Sequence, residues 1–248
     1  MALVMMIAFA VRRQLMHGQT PSAAPNLQTF EVVSIKSNRS GGDDNSMRTS
    51  PGRLTVVNMT TKSLLLYAFG VKDSQLAGGP DWLAKENFDV VAVTGTSADL
   101  NRATLQPLLQ SMFADRFHLK FHRENRESPV YSLVAAKGGP KLTVHSGEGG
   151  PITGIHSSAG RDRVNARKTT MKRLAEVLSE QTDRVVIDNT GLRGEYDFSL
   201  EWSSDLTADS ENPSIFTAIQ EQLGLKLESA KGPVQIIVID SAEKPSDN

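Results

Sequence analysis

The sequence predicts an α+β fold of two tandem two-layer repeats, each a small mixed or antiparallel sheet with two helices on one face. Three observations carry this expectation. Runs rich in β-branched residues alternate with short amphipathic helical stretches from Phe30 onward. Several of those stretches follow a Thr, Asp or Asn that can accept the free N–H groups of a first helical turn. The second half of the chain restates the first in the same order.

FEVVSIK, Phe30 to Lys36, opens the folded part as a strand, because β-branched side chains suit a pleated, half-buried surface. SNRSGGDDNSMRTSPG is dense in Ser, Gly, Asn and Asp and is expected to be loop. RLTVVNM is a second strand. In TTKSLLLYAFGV, Thr60 or Thr61 caps a helix whose apolar face is Leu64, Leu65, Ala68 and Phe69 and whose stop is Gly70. QLAGGPDWLAKE supplies a Gly-Gly-Pro turn, and FDVVAVT is a further strand. Asp99 or Asn101 caps the next helix, where Leu105, Leu108, Leu109, Met112 and Phe113 recur at helical spacing. RFHLKFHRE and PVYSLVAA are expected as two strands of an antiparallel hairpin around the turn NRES. The helix-linked strands can pair either way. Residues 141–163 are rich in Gly, Ser and Pro and are expected to form a linker or surface loop, with a short strand at Lys141 to His145.

After that segment the first half returns. KTTMKRLAEVLSEQ echoes MTTKSLLLYAFG and sets Leu174 against Leu65. GEYDFSLEW echoes ENFDVVAV and sets Tyr196-Asp197 against Phe88-Asp89. IFTAIQEQLG echoes LQPLLQSMFA, with Ile219 against Leu109, and LKL with GPVQIIVID echoes LKF with SPVYSLVAA. Four matches in one order imply a tandem duplication of a unit at 28–140 and again, with a polar tail, at 164–248. Each unit then buries the apolar stripes of its two helices on one face of its sheet. Pro129 and Pro233 are expected at strand starts or on edges, where a missing donor is tolerated. A strand exchanged between units would leave one merged sheet.

Charge narrows the partners. With 27 basic and 28 acidic side chains the formal net charge is -1, so no long-range field draws in nucleic acid. The absence of cysteine excludes disulfides, thiolate nucleophiles and cysteine-ligated metals. Residues 1–27 stand apart from the fold. MALVMMIAFAV is shorter than the ~20 residues that span a bilayer. It matches the apolar segment of a secretory signal, with Ala8-Phe9-Ala10 at a cleavage-site position. Arg12 and Arg13 follow this run and none precedes it, which fits the tail of a longer signal or membrane anchor that starts upstream. A buried amino-terminal helix is the alternative. The expected location is periplasmic, secreted or anchored to the cell envelope through this terminus.

Candidate chemistry is sparse. His118 and His122 would share a strand face, but Lys120 stands between them and no third ligand is near in sequence, so a solvated face is expected and no metal site. His145 and His156 lie in the Gly-rich segment and fit no pattern. Asp89 and Asp197 occupy equivalent repeat positions after an aromatic residue. There a carboxylate accepts backbone or basic hydrogen bonds, or serves acid-base work if the pair faces across a cleft. Asp43-Asp44 and the loop Asp205 to Asn212 offer oxygen ligands without the spacing of a calcium loop. Trp82 and Trp202 suit either a ligand platform or a core anchor. Gly-x-Ser-x-Gly, His-Glu-x-x-His, the phosphate loop and the dinucleotide fingerprint are missing, so no catalytic residue and no cofactor is assigned. The binding candidates are Trp82, Asp89, Asp197 and Trp202.

The phrases FEVVSIK, PGRLTVVNMT, GGPDWL, ADRFHLKFHRENRESPVYSLVAAKGGPKL, DNTGLRGEYDFSLEW and the run from Ile215 to the end together identify a resemblance. The chain resembles an uncharacterised family of soil-associated bacterial proteins, heavily duplicated in Acidobacteria of the Solibacter type. The resemblance implies export or membrane attachment, since relatives carry a signal sequence and some place this domain behind a membrane metallopeptidase of the antibiotic-sensor type. It brings no catalytic residues. A fainter likeness is to the small periplasmic modules at the front of secretins and TonB-dependent receptors. The resulting expectation is a non-catalytic, exported or envelope-associated module that binds a protein, peptide or cell-wall ligand in a pseudo-symmetric cleft. Two alternatives are a sensory ectodomain related to membrane peptidase receptors, and a hydrolase assembled from Asp89, Asp197, His118 and His122.

Overall fold

The computed structural model describes residues 29–42, 44–158, 160–203 and 213–246. The apolar terminus, Asp43 and the acidic loop at 205–212 lie outside the described residues. The first half runs β1 (Val32–Asn38), β2 (Ser46–Ser50), β3 (Arg53–Thr60), α1 (Thr61–Phe69), β4 (Leu76–Gly78), α2 (Trp82–Lys85), β5 (Asn87–Val93), α3 (Arg102–Arg116) and β6 (Lys120–Ala135). The second runs β7 (Thr143–Val144), β8 (Ile152–Ser158), β9 (Arg161–Thr169), α4 (Met171–Gln181), β10 (Val186–Asp188), β11 (Tyr196–Ser203), α5 (Ile215–Leu223) and β12 (Leu225–Ser241).

Side chains set the helix starts. Thr60, Asn101, Thr170 and Ser214 each accept the backbone N–H three residues ahead, satisfying donors that the first turn leaves free. Gly70 and Gly224 end α1 and α5 in the left-handed region, both at φ 63°.

The chain is an α+β protein made mostly of strands, which pair into three sheets. One is antiparallel with order β1-β5-β3-β2, and another is antiparallel with order β7-β11-β9-β8. Between them lies the order β10-β6-β12-β4. There β6 and β12 run antiparallel along nearly their whole lengths. The short β4 pairs parallel with β12, and β10 pairs parallel with β6, so each joins the long strand of the other half.

Two lobes follow from the buried side chains. α1 and α3 close one core on the first sheet, joined by Ile239 from β12. α4 and α5 close the other on the third sheet, joined by Leu133 from β6 and Leu225 from β12. Val130, Val234 and Ile236 form a small cluster on the central sheet. Leu65, Leu174, Phe88, Tyr196, Leu109 and Ile219 are all buried, as their places on the apolar sides of their elements require.

Several local expectations are corrected. Each expected hairpin is a single continuous strand, of 16 residues in β6 and 17 in β12. The stretches NRES and ESAKG resemble turns because they are polar, yet they are polar for another reason. β10 covers only Tyr131 to Leu133 of β6, and β4 only Ile237 to Ile239 of β12, so the remaining outer sides are sheet edges. Charged residues and proline blunt such edges against further strand pairing. Tyr131 donates its N–H outward to Val185 at 2.8 Å, so the ring nitrogen of Pro129, two residues earlier, also faces outward. Gln235 accepts from Gln75 on the outer side of β12, which places Pro233 in the same way. Both prolines therefore sit inside long strands, not at strand starts, and neither removes a bond of the β6–β12 ladder. Besides the short strand expected at Lys141 to His145, found as β7, the Gly-rich segment 141–163 holds β8 and the first residues of β9, and the Ser-rich loop after β1 holds β2. Short edge strands with little apolar content give a weak periodic signal.

Candidate functional site

The bulge that precedes α1 sets the position of Asp89. The register of β3 on β5 slips between Val56 and Met59, and Asn58 adopts φ 54°. Its N–H donates to Asp89 Oδ1 at 2.8 Å, and Asn38 Nδ2 donates to the same oxygen at 2.7 Å. The Asn58 side chain donates to the Gly42 carbonyl at 2.6 Å and accepts from Asn87 Nδ2 at 2.8 Å. Asparagine tolerates the left-handed region better than most residues, which favours it at this bulge.

Asp197 does the same work in the other lobe. The slip lies between Tyr196 and Phe198, Lys168 adopts φ 53°, and its N–H donates to Asp197 Oδ1 at 2.8 Å. His145 stands where Asn38 stands in the first sheet. Its Nδ1 lies 2.9 and 3.0 Å from the two Asp197 oxygens, and its Nε2 lies 2.9 Å from the Gly147 carbonyl oxygen. The Lys168 N–H first, and then His145, hold the Asp197 carboxyl below the usual carboxylate range, with burial opposing them. The His145 side chain is 7% exposed, and both ring nitrogens are engaged. This pair clamps the turn after β7 to the sheet and leaves no nitrogen open to a reacting molecule. Sequence reading passed over His145; the available signal was its place just before Gly147 in the segment that pairs with the strand of Asp197.

The other candidates are dispersed. Trp82 packs in the first core, stacked on Phe117 at 6.3 Å and edge-on to Phe88. Trp202 is 3% exposed in the second core, a packing role and not a ligand platform. Asp89 and Asp197 belong to different sheets, and each is bound to the bulge of its own lobe. His118 precedes β6 with φ 45° and lies 3.3 Å from Glu243, whereas His122 lies on β6, 2.8 Å from Asp240, so the two do not share a strand face. Among the described residues no group of three His, Asp or Glu side chains is placed to hold a metal ion.

A concavity of about 650 Å³ lies where the lobes meet. From the first lobe come the end of α1, the turn that carries Lys72 and Gln75, and Arg102 at the start of α3. The outer side of α4 and the strand β10 complete it. Lys72 Nζ reaches across to the Thr182 carbonyl at 2.6 Å, capping the carboxyl end of α4, where a cation meets free carbonyls. Arg102 lies 3.5 Å from Glu180 of α4.

Comparison with known proteins adds one result. A family model described as a protein of unknown function, DUF3738, matches residues 62–242, from the first turn of α1 to just past β12. No curated protein and no solved structure matches the chain significantly. The match covers well over half of the chain, from α1 through the second lobe, and the chain therefore belongs to this family of proteins of unknown function, DUF3738.

Proposed function

We propose that the chain is a duplicated, non-catalytic binding module of the cell envelope whose ligand occupies the cleft between the lobes. The observation that carries this reading is the construction of that cleft, which draws its lining from both halves of the chain. A concavity at a junction of two packed units is the usual place for a ligand. The duplication itself is supported by the shared strand order of the outer sheets, by the threonine caps of α1 and α4, and by the matched bulges at Asn58 and Lys168 with their aspartates. The apolar terminus 1–27 supports export.

The cleft is tested by a thermal-shift screen of the purified chain against soluble cell-wall fragments and short peptides. Each hit is repeated on Glu176→Trp, which places a bulky ring in the cleft from the exposed side of α4. Ligands of the cleft lose their effect in this variant while its own melting temperature stays put. Hits that survive the substitution unchanged would refute the assignment. Export is tested separately by fusing a reporter active only outside the cytoplasm to a gene with its verified natural start. A cytoplasmic signal there removes the envelope from the reading.

A further inference from the structure

The cleft holds two ammonium groups that are in no direct ion pair among the described residues. Of its four cations, Arg173 lies 3.0 Å from Glu176 and Arg102 lies 3.5 Å from Glu180. Lys72 and Lys172 have no carboxylate oxygen within 4.0 Å among the described residues. Lys72 is the more informative of the two. One of its three donors goes to the Thr182 carbonyl at 2.6 Å. Burial pushes its ammonium down from the ordinary lysine value, although Asp183 and Glu180 pull the other way. A partly desolvated charge attracts an incoming ion more strongly than one held in water.

The remainder of the lining narrows the ligand. Val71, Val185 and Ile187 give the cleft apolar surface. Among the lining residues Glu176, Glu180 and Asp188 oppose four cations with three anions, a single positive charge in excess, and Asp183, whose charge also reaches Lys72, is itself paired with Arg184 at 3.4 Å. That balance suits one negative charge better than two. We propose that the cleft binds a carboxylate carried on an apolar body, such as the carboxyl end of a peptide, with Lys72 as its anchor and Lys172 as the second cation. The inference rests on the cleft being the binding site, and it adds the chemical class of the ligand.

Titrating the full chain with acetyl-Val-Val and with its carboxamide, followed by amide NMR shifts, tests it. The acid is expected to move signals of residues 70–75 and 185–188 saturably, and the carboxamide to bind about tenfold more weakly, the size of one charge-assisted hydrogen bond. Lys72→Gln keeps a donor for Thr182 and loses the charge, so it loses a similar factor. Lys72→Arg restores binding, and Lys137→Gln, outside the cleft, changes nothing. Equal affinity for acid and carboxamide at these signals would overturn the anchor and leave the cleft standing. Tighter binding of inorganic phosphate at the same signals would overturn the carboxylate. Unmoved cleft signals with both peptides also refute the proposal, whereas the cleft itself then stands or falls with the Glu176→Trp screen.

Discussion

Replacing Ile219 by alanine removes three carbons from a side chain with no exposed surface, in the core that α4 and α5 close on the third sheet. At ~0.8 kcal/mol per buried methylene the lost transfer energy is about 2.4 kcal/mol. The cavity left behind raises the total into the range of ~2–5 kcal/mol, because a packed core relaxes only in part. Leu109→Ala makes the matching deletion in the first core and is expected to cost a similar amount. Chemical denaturation, followed by tryptophan fluorescence and by circular dichroism, reads both. Trp82 packs in the first core and Trp202 in the second, so fluorescence reports on each lobe. β6 and β12 supply side chains to both cores, or border them, and are paired along nearly their whole lengths. Each substitution is therefore expected to shift one shared transition seen by both probes. A cost below ~1 kcal/mol would show that the side chain is not packed as described, since buried aliphatic deletions cost more. Two transitions, with each substitution moving only its own, would refute the interlocking of the lobes through the central sheet.

Three further outcomes follow from particular residues. Asp197 has its native carboxyl held below the unfolded value, so its contribution to stability is present above the ordinary carboxylate range of about pH 4 and is lost as pH falls through the lowered native value. Asp197→Asn should flatten the acid limb of a stability–pH profile and lower stability at neutral pH, and an unchanged acid limb would contradict the clamp. Gly224→Ala places a Cβ on the Gly139 carbonyl oxygen at a residue with φ 63°, and a loss of more than ~1 kcal/mol is expected in urea denaturation. Thr170→Ala removes the oxygen that accepts the Arg173 N–H and should cost ~1 kcal/mol, measured in the same way, with Thr60→Ala giving a similar loss in the other lobe.

Much of the local structure was legible because it depends on neighbours in sequence. The caps at Thr60 and Asn101, the stop at Gly70 and the apolar stripe from Leu105 to Phe113 are settled within a turn or two of helix. The equivalence of Asp89 and Asp197 was visible as two aromatic–aspartate pairs in matching context, and so was their suitability to accept backbone hydrogen bonds. His145 was not legible, because its partner is 52 residues away and the pairing of β7 with β11 is what brings them together.

The sequence by itself determined the α+β class, the four longer helices, most of the strands and many of the side chains that fill the two cores. The tertiary structure decided where the long polar stretches go. NRES and ESAKG carry turn-like composition, and only the partner strand tells a turn from a solvent-facing edge, since backbone pairing between β6 and β12 leaves no mark in either segment alone. It also decided that β4 and β10 cross to the long strand of the opposite half, which brings Lys72 to Thr182 and creates the cleft. Such contacts join residues 110 positions apart, and the hydrogen bonds that specify them use backbone groups common to every residue, so no local pattern encodes them.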